Sequence, residues 1–497
     1  MDFGPSRVTV DIPAFNEWRV ETARTGTLNL KLESGTAEIF GTELSPNVDY
    51  VFKESMKIAV ASYHGCQISY STTMPLDSDY VSEETNLKQV LNLHLALDNR
   101  LQKTGKTSRV LIVGPKDTGK TTLARMLASY NLRTSDRSPI LVNLNPQLPH
   151  FAIASQLTAA KVYDALDVET FTMGETSTTG PGTGLYRSQI PIVKNFGLEN
   201  FNDNLELYRC LISELSAEVE SKIEASPSDT GNVIIDTPAL NVSHWKLIQH
   251  VIASFKIDLL VVVGNERLLV DLRKKLALPE GFNMIKMPRS SGCVEKEPKY
   301  QRELQQRAIK QYFNGSERSQ LNPYTFHSSI NEFIFLKPTE NDGSNLELLG
   351  FMNGDADEEE HYESAYPADE AEEDDDDYDP MSQTSTKTNT IKRTSKNWKY
   401  GKMFSIVDSP KEIDLTNVVV AIVDEKGLDL VKMASSGMNL KESLELINKH
   451  ITAKGVTGFS YVTGCDDSTG KLKLLVPTPV TSMPGKILVI TQMRYHE

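Results

Sequence analysis

Residues 109–121 read Arg109-Val110-Leu111-Ile112-Val113-Gly114-Pro115-Lys116-Asp117-Thr118-Gly119-Lys120-Thr121 and are the most informative segment of the chain. Its first five residues form an apolar, β-branched run, which predicts a strand buried on both faces of a parallel sheet. The next eight match G-x-x-x-x-G-K-[ST], the phosphate-binding loop. A helical pattern from Thr121 to Tyr130 supplies the strand–loop–helix context that this motif requires. The sequence therefore predicts a P-loop domain.

Each residue type in this loop has a physical role in holding a triphosphate. Glycines let the backbone curl so that its N–H groups point at phosphate oxygens, and the helix N-terminus adds partial positive charge. We expect Lys120 to reach the β and γ phosphates and the Thr121 hydroxyl to ligate Mg²⁺. The predicted nucleotide-binding residues of the loop are Gly114, Asp117, Thr118, Gly119, Lys120, Thr121 and Thr122. The alternative is a strand–helix turn without a ligand, which leaves a buried lysine beside amide donors unexplained.

A second strand that ends in an acid follows at Val233-Ile234-Ile235-Asp236. In P-loop proteins such an aspartate holds Mg²⁺, so Asp236 and Thr121 are the predicted metal residues. The alternative is that Asp236 caps the helical segment that comes next. No Asn-Lys-x-Asp guanine-reading motif follows the run from Leu259 to Gly264, so we expect ATP with Mg²⁺ rather than GTP.

Working outward from the loop, the patterns predict three domains. Residues 8–73 alternate apolar and polar side chains, as in a small antiparallel β domain, and a helical pattern runs from Leu87 to Leu101. In the middle of the chain, apolar strands alternate with helices, which implies a parallel sheet flanked by helices. Strand patterns resume late in the chain, at Val418 to Val423, Leu472 to Val476 and Ile487 to Ile490. We predict domains at 1–100, 101–330 and 331–497.

Charge and composition restrict the function classes. The net charge is −15, yet residues 355–379 alone hold fifteen Asp and Glu and no Lys or Arg, so the rest of the chain sums to about zero. The surrounding segment 354–396 has too few apolar residues to offset chain entropy, and we predict a disordered insertion. It is either a solvated loop or a mimic that competes with RNA for basic partners. We find no apolar run near the ~20 residues of a membrane helix and no secretory signal, and the four scattered cysteines predict free thiols.

Further motifs resemble one family over nearly the whole chain outside the insertion. They are Asn16-Glu17-Trp18, Glu38-Ile39-Phe40-Gly41-Thr42-Glu43-Leu44, Asn92-Leu93-His94, Asn143-Leu144-Asn145-Pro146-Gln147, Val193-Lys194-Asn195-Phe196-Gly197, Leu475-Val476-Pro477 and Arg494-Tyr495. In this order they resemble the ATP-binding subunit of eukaryotic, and particularly fungal, pre-mRNA cleavage factor IA, in the polynucleotide 5′-hydroxyl-kinase family.

The resemblance implies an α/β multidomain fold with an N-terminal β-sandwich, a central P-loop domain and a C-terminal mixed α/β domain. It also implies a nuclear subunit required for pre-mRNA 3′-end cleavage and polyadenylation. Its expected partners are the factor's scaffold subunit, which binds RNA polymerase II and docks on the central domain, and other 3′-end processing subunits. Contact with RNA is expected to be indirect at most, and a membrane is not expected.

The resemblance further implies that adenine lies between the first two domains. In the family, a glutamate before a tryptophan and a lysine after the Gly-Thr-Glu-Leu segment contact the base. The matching residues are Glu17, before Trp18, and Lys57. Without the resemblance both would be read as solvated surface charges.

Three features bear on whether the chain is a kinase. Active members end the strand after the phosphate loop in an aspartate, and here Asn145 stands at that position; an amide neither accepts a proton at neutral pH nor carries charge for a metal. The tryptophan that clamps the terminal RNA base is missing after Asp236, and Trp245 comes several residues later. The paired lid arginines are matched only imperfectly by Arg302, Arg307 and Lys310, whose alternative is a solvated helical face.

We therefore expect ATP to be bound structurally without turnover. Two alternatives remain, namely an active polynucleotide 5′-hydroxyl kinase that phosphorylates RNA 5′ ends and a slow ATPase switch.

Overall fold

The structure is a computed structural model. It describes residues 7–53, 55–170, 172–173, 191–278, 281–316, 320–340, 398–408, 410–428 and 440–495. The predicted disordered insertion at 354–396 lies outside the described residues. Described residues up to Glu340 and from Tyr400 onward belong to one compact unit.

The described N-terminal residues form nine short strands, of which the third, Thr27–Gly35, shows a clear alternation of buried and partly buried side chains. They are β1 (Val8–Ile12), β2 (Asn16–Glu21), β3 (Thr27–Gly35), β4 (Glu38–Ile39), β5 (Thr42–Glu43), β6 (Asp49–Lys53), β7 (Lys57–Ser62), β8 (Cys66–Thr72) and β9 (Ser78–Ser82). They form two antiparallel sheets, with strand orders β1-β8-β3-β6 and β5-β4-β7-β2-β9. Trp18 from one sheet and Leu28 and Leu30 from the other share one apolar core. This is the β-sandwich that the resemblance implied.

A long helix, α1 (Leu87–Thr104), connects the sandwich to the central domain and ends at Gly105 in the left-handed conformation. Its buried face consists of Leu87, Val90, Leu93, His94, Leu97 and Leu101, at the helical spacing that the sequence predicted.

The central domain is a seven-stranded sheet with helices packed against it. Its elements are β10 (Arg109–Val113), α2 (Lys120–Thr134), β11 (Ser138–Asn143), β12 (Gln156–Lys161), β13 (Ile192–Asn195), α3 (Leu205–Ala225), β14 (Thr230–Asp236), α4 (Trp245–Phe255), β15 (Leu259–Val263), α5 (Glu266–Lys275), β16 (Asn283–Met287) and α6 (Pro298–Asn314). The strand order is β13-β12-β11-β14-β10-β15-β16, parallel from β11 to β16 and antiparallel at β12 and β13. The phosphate loop follows β10, which lies between β14 and β15, so residues from three neighbouring strand ends can meet there.

The C-terminal domain is a mixed sheet with helices. Its elements are β17 (Tyr324–Ser329), β18 (Ile334–Pro338), β19 (Phe404–Ile406), α7 (Glu412–Leu415), β20 (Val418–Val423), α8 (Leu440–Ala453), β21 (Gly458–Asp466), β22 (Lys471–Val476) and β23 (Ile487–Arg494). The order is β17-β22-β21-β20-β23-β18-β19, and only the β18–β23 pairing is parallel among these described strands. The α/β multidomain fold class is thereby confirmed.

Two smaller predictions concern side-chain chemistry and membranes. The cysteines Cys66, Cys210, Cys293 and Cys465 are all free, as their spacing predicted. Within the described ranges, we find no helix whose length and apolar character would let it cross a bilayer.

Candidate functional site

The phosphate loop closes tightly over the end of β10. A Cβ on Gly114 would lie 2.6 Å from the Val263 carbonyl oxygen on β15, so only glycine fits between these two chain segments. Gly119 begins α2 with a φ of 89°, a conformation that favours glycine. Asp117 also has a positive φ, 54°, although it carries a side chain. Such a backbone is uncommon in a non-glycine residue and concentrates at functional sites.

Lys120 and Thr121 open α2 beneath this loop. The Lys120 Nζ donates a hydrogen bond to the Pro115 carbonyl, 2.6 Å away, and the Thr118 hydroxyl donates to the same carbonyl at 3.0 Å. Burial lowers the pKa of Lys120, while the nearby carboxylates of Asp236 and Asp117 oppose that shift. Because burial removes the Lys120 ammonium from water, an anion bound beside it would stabilise its charged form.

Asp236 is the last residue of β14, and it contacts Thr121. Its Oδ2 accepts a hydrogen bond from the Thr121 hydroxyl at 2.6 Å. Its Oδ1 is buried and has no hydrogen-bond partner among the described residues. Burial raises the pKa of Asp236, and Thr121 and Lys120 oppose the shift. A buried carboxylate oxygen without a partner beside a threonine hydroxyl is the donor set that Mg²⁺ or its bound water takes in a P-loop site.

These two protein oxygens are few for a metal ion on its own. No group of three or more His, Cys, Asp or Glu side chains in the described part of the chain is arranged to hold one. Two protein oxygens suit an ion that brings further ligands with it, as Mg²⁺ does when it is bound to nucleotide phosphates.

The predicted base-contacting residues lie on one face of the second sandwich sheet. Glu17 and Glu21 are on β2, and Lys57 on β7 is in register with Glu21. The face opposite to Trp18 therefore carries both predicted residues, because side chains alternate along a strand. Lys57 forms an ion pair with Glu21 at 3.0 Å and lies 5.7 Å from the ring centroid of Tyr300 on α6.

Glu17 is nine-tenths buried, and its carboxylate is paired with the Arg19 guanidinium. Its Oε1 accepts from Arg19 Nε at 2.6 Å and also pairs with the Arg19 Nη2 at 2.5 Å. Its charge is close enough to Cys293 to raise the pKa of that thiol, although burial is the larger cause. Cys293 in turn packs on the phosphate loop, since a Cβ on Gly119 would lie 2.9 Å from its Sγ. The structure thus brings Glu17 to the mouth of the loop.

One residue at the site was missed by the sequence reasoning. Lys296 precedes α6, and its backbone N–H donates to Asp117 Oδ2 at 3.0 Å. Burial lowers the pKa of its ammonium, while Asp117 and Asp236 oppose the shift. Lys296 is thus a second cation at the phosphate loop. It belongs to no motif, and the only available signal was a basic residue just before a proline-initiated helix.

The candidate lid residues Arg302, Arg307 and Lys310 all lie on α6. Arg307 donates two hydrogen bonds to the Ser55 carbonyl of the sandwich, both at 3.3 Å. Arg302 and Arg307 line a cleft of about 630 Å³ together with Arg24, Thr25, Lys299, Glu303 and Gln306. Arg307 therefore joins α6 to the sandwich, while Arg302 and Lys310 are exposed.

Asn145 stands at the position where the aspartate was expected, whereas Trp245 comes several residues after the position where the clamping tryptophan was expected. Asn145 follows β11 by two residues, and its Oδ1 accepts from the Gln147 backbone N–H at 3.1 Å. Its own N–H donates to Asn143 Oδ1 at 3.0 Å, so it belongs to a tight polar turn. Trp245 is the first residue of α4 and is half-buried, with Lys246 Nζ 5.9 Å from its ring centroid.

Comparisons with known proteins match all three domains. Residues 11–104 match the family model of the N-terminal beta-sandwich domain of polyadenylation factor. Residues 114–315 match that of the mRNA cleavage and polyadenylation factor CLP1 P-loop, and residues 321–497 match the model described as pre-mRNA cleavage complex II protein Clp1.

Similar proteins and structures cover nearly the whole chain. The mRNA cleavage and polyadenylation factor CLP1 of Debaryomyces hansenii is 33% identical over 98% of this chain and 95% of its own, and that of Candida albicans is 30% identical over 99% and 97%. A solved Clp1p–Pcf11p complex has the same fold, with a TM-score of 0.77 at 24% identity and 99% coverage of both chains. A second Clp1p structure, with equal TM-score and identity, covers 99% of this chain and concerns the Pcf11p interface and ATP loss in a glycine-to-arginine mutant. The chain belongs to the CLP1 family of mRNA cleavage and polyadenylation factors.

Proposed function

We propose that this protein is an ATP-binding subunit of a nuclear pre-mRNA 3′-end cleavage and polyadenylation complex, equivalent to cleavage factor IA. In this proposal ATP with Mg²⁺ is bound structurally and is not turned over. The observation that carries it is the pairing of a complete phosphate loop, Lys120 with Thr121 and Asp236, with an amide at Asn145. Binding groups are present, and the expected carboxylate is not.

The proposed ligands follow from the positions described above. Backbone N–H groups from Gly114 to Thr122 and the Lys120 ammonium would hold the phosphates, with Lys296 as a further cation. Thr121 and the unpartnered oxygen of Asp236 would hold Mg²⁺. Glu17 and Lys57 would contact adenine at the sandwich side. Bound Mg²⁺ would supply charge neutralisation for the phosphates.

ATP would then contribute to stability rather than to chemistry. A ligand that binds only the folded protein stabilises it by about 4 kcal/mol at a thousandfold excess over its dissociation constant. Because the site joins the sandwich to the central domain, this free energy would hold those two domains together.

Thermal unfolding with and without ATP tests the binding. We expect Lys120→Ala to lose the ATP-dependent rise in Tm. Lys116→Ala should retain it, since Lys116 is exposed on the same loop and serves as the matched control. Equal shifts in wild type and Lys120→Ala would refute the assignment of the site.

The proposed partner is a scaffold protein that corresponds to Pcf11p, the subunit seen with Clp1p in solved complexes. We propose that it docks on the central domain and links this protein to RNA polymerase II. Pull-down of that scaffold by wild type, Lys116→Ala and Lys120→Ala tests whether assembly depends on ATP. Normal folding and binding by protein shown to be ATP-free would contradict the structural role.

An active polynucleotide 5′-hydroxyl kinase is the second candidate, and the second cation Lys296 favours it. Phosphoryl transfer needs charge stabilisation around the moving group, and Lys120 with Lys296 would offer two cations. Transfer of labelled γ-phosphate to a 5′-hydroxyl RNA decides between the two. We expect no transfer by wild type, because loss of a general base commonly costs a factor of ~10² to 10⁴. Transfer that Lys120→Ala abolishes would instead establish the kinase.

A further inference from the structure

Arg19 of β2 crosses from the sandwich to the segment that covers the phosphate loop. The residue is 8% exposed, and its guanidinium donates in several directions. Its Nη2 donates to the Ser291 hydroxyl at 2.9 Å and to the Glu84 carbonyl at 2.7 Å, while Nε donates to Glu17 at 2.6 Å. Ser291 donates to the same Glu84 carbonyl at 2.7 Å, which closes a small network around the guanidinium.

The segment that receives this contact is residues 288–297, which joins β16 to α6 and is called the cover loop below. Its backbone lies flat against the guanidinium, since a Cβ on Gly292 would be 2.6 Å from Arg19 Nε. The first residue of the cover loop is also held in place, because the Asn86 side-chain amide donates to the Pro288 carbonyl at 2.8 Å.

The next residues of the cover loop reach the phosphate site. Cys293 packs on Gly119, at 2.9 Å from the position of a Cβ there, and Lys296 binds Asp117 through its backbone N–H. Only four residues separate Ser291 from Lys296, so the Arg19 contact constrains where Cys293 and Lys296 lie. A nucleotide that enters or leaves between the sandwich and the phosphate loop meets this segment.

We propose that Arg19 is a positioning residue that latches the cover loop over bound nucleotide and sets the rate at which nucleotide leaves. The inference rests on the nucleotide-binding function proposed above. Opening the latch breaks the contacts of Ser291 with Arg19 and with the Glu84 carbonyl, together with the packing of Gly292 on the guanidinium. The ion pair between Arg19 and Glu17 lies within β2 and survives, so opening leaves no buried charge unpaired and costs correspondingly less.

Lysine cannot replace arginine in this arrangement. The planar guanidinium presents five donors in a fixed fork and here serves four acceptors, among them the Tyr80 hydroxyl at 3.3 Å, whereas an ammonium is a compact point charge. Arg19→Lys therefore keeps the charge beside Glu17 while it loses the directed contact to the cover loop.

The test is the release rate of a fluorescent ATP analogue, mant-ATP, chased with excess ATP from the full chain. We expect Arg19→Lys to release it ~10-fold faster, as for loss of a charge-assisted hydrogen bond, and Ser291→Ala to release it a few-fold faster. The double variant should be no faster than Arg19→Lys alone, because both changes break the same contact. Arg24→Ala should match wild type, since Arg24 also crosses from the sandwich to the central domain, through Glu303 at 2.8 Å, but does not touch the cover loop.

The outcomes separate the two proposals. A wild type that binds no mant-ATP would overturn the proposed function and the latch with it. A wild type that binds mant-ATP but releases it no more slowly than Arg19→Lys and Ser291→Ala overturns the latch alone. Additive effects in the double variant would also overturn it, since they indicate two independent structural losses. Ser291 is exposed, so its truncation tests the latch without risk to the core.

Discussion

Lys120 and Asp236 show how burial shapes single residues at the site. Each is removed from water, so burial shifts the pKa of each toward its neutral form, while the opposite charge nearby opposes both shifts. An isolated buried charge would be costly, and the two therefore depend on each other and on whatever anion and cation bind between them. A phosphate with Mg²⁺ supplies both missing charges at once.

His150 offers a test of burial at the residue scale. It is 6% exposed, and burial lowers its pKa to about 3, with Lys296 and Arg125 adding to the shift. The unfolded chain binds a proton near the ordinary pKa of 6.5, so it binds more protons than the folded chain below that pH. The stability contributed by neutral His150 is complete above 6.5 and is lost as the pH falls toward 3.

We therefore expect wild type to lose about 2 kcal/mol more unfolding free energy than His150→Leu between pH 7 and pH 5. Urea denaturation at both pH values measures the difference for each protein. Comparing the two pH dependences removes the contribution of the many acidic residues, which is common to both. Equal losses in the two proteins would show that His150 is not held neutral by its surroundings.

At the scale of elements, α2 is the part of the phosphate site that meets the sandwich. Gly41, in the turn between β4 and β5, has a φ of 88°, and a Cβ there would lie 2.8 Å from the Met126 Cα. Beside it, Tyr130 donates to the Glu38 carboxylate and lies 2.7 Å from the Tyr63 hydroxyl oxygen. The helix that begins with Lys120 is thus held by the first domain in its second half.

Gly41→Ala tests the close contact between the β4–β5 turn and α2, and a second glycine serves as the matched control. Gly105 at the end of α1 also has a positive φ, 68°, but a Cβ there would meet nothing within 4 Å. Gly105→Ala should cost only backbone strain, about 1 kcal/mol, whereas Gly41→Ala should cost about 1–3 kcal/mol more through overpacking. Urea midpoints measure both. Equal costs would mean that the turn and α2 separate without penalty.

Lys194 of β13 joins the central and C-terminal domains by capping a helix. Its side chain is fully buried, and Nζ donates to Glu218 at 2.6 Å and to the last carbonyls of α8, at 2.8 Å for Ala453 and 3.3 Å for Thr452. A cation at a helix C-terminus stabilises the helix dipole and satisfies carbonyls that lack partners within the helix.

We expect Lys194→Met to lower the unfolding free energy by about 3 kcal/mol, because it leaves Glu218 and two helix carbonyls without their donor. Lys256→Met should cost less than about 1 kcal/mol, since that lysine pairs with Glu220 at the surface. Denaturation of both variants gives the comparison. A cost for Lys194→Met as small as that of the surface lysine would mean that α8 does not need this cap.

At the scale of the whole molecule, α6 contacts all three domains. Arg307 binds Ser55 of the sandwich, Gln305 donates to the Gln147 carbonyl at 3.3 Å, and the Tyr312 hydroxyl accepts from the Phe459 N–H at 2.9 Å. The helix also follows the cover loop directly in the chain. A change in conformation at the phosphate site can therefore be transmitted through the cover loop to α6, because the two segments are consecutive in the chain.

Deletion of residues 355–379 tests whether the acidic stretch matters to this core. The deletion brings the net charge from −15 to zero. We expect Tm and mant-ATP affinity to remain as in wild type, because the stretch is too poor in apolar residues to contribute a core. Scaffold pull-down measures assembly in the same protein. Stronger RNA competition for basic partners after deletion would favour the mimic over the solvated loop.

The local parts of this protein could be predicted from the order of its residues. The phosphate loop, the strand before it and the helix after it depend on neighbouring residues, so Gly114 to Thr122 could be assigned from the motif. Period-two and helical patterns predicted the three kinds of domain, because each pattern reports which side of one element is buried. The resemblance added the sandwich and placed Glu17 and Lys57 as predicted base contacts, which remain to be tested.

The contacts between distant segments became visible in the folded chain. Lys296 and Asp117 are 179 residues apart, and Arg19 and Ser291 are 272 apart, so no local pattern links either pair. The contact between Arg307 of α6 and the Ser55 carbonyl is another example, because it depends on where the sandwich lies and no local pattern in α6 predicts it. Hydrogen bonds and ion pairs form between groups that the fold brings within a few ångströms, and a sequence pattern records only what lies within a turn or a strand.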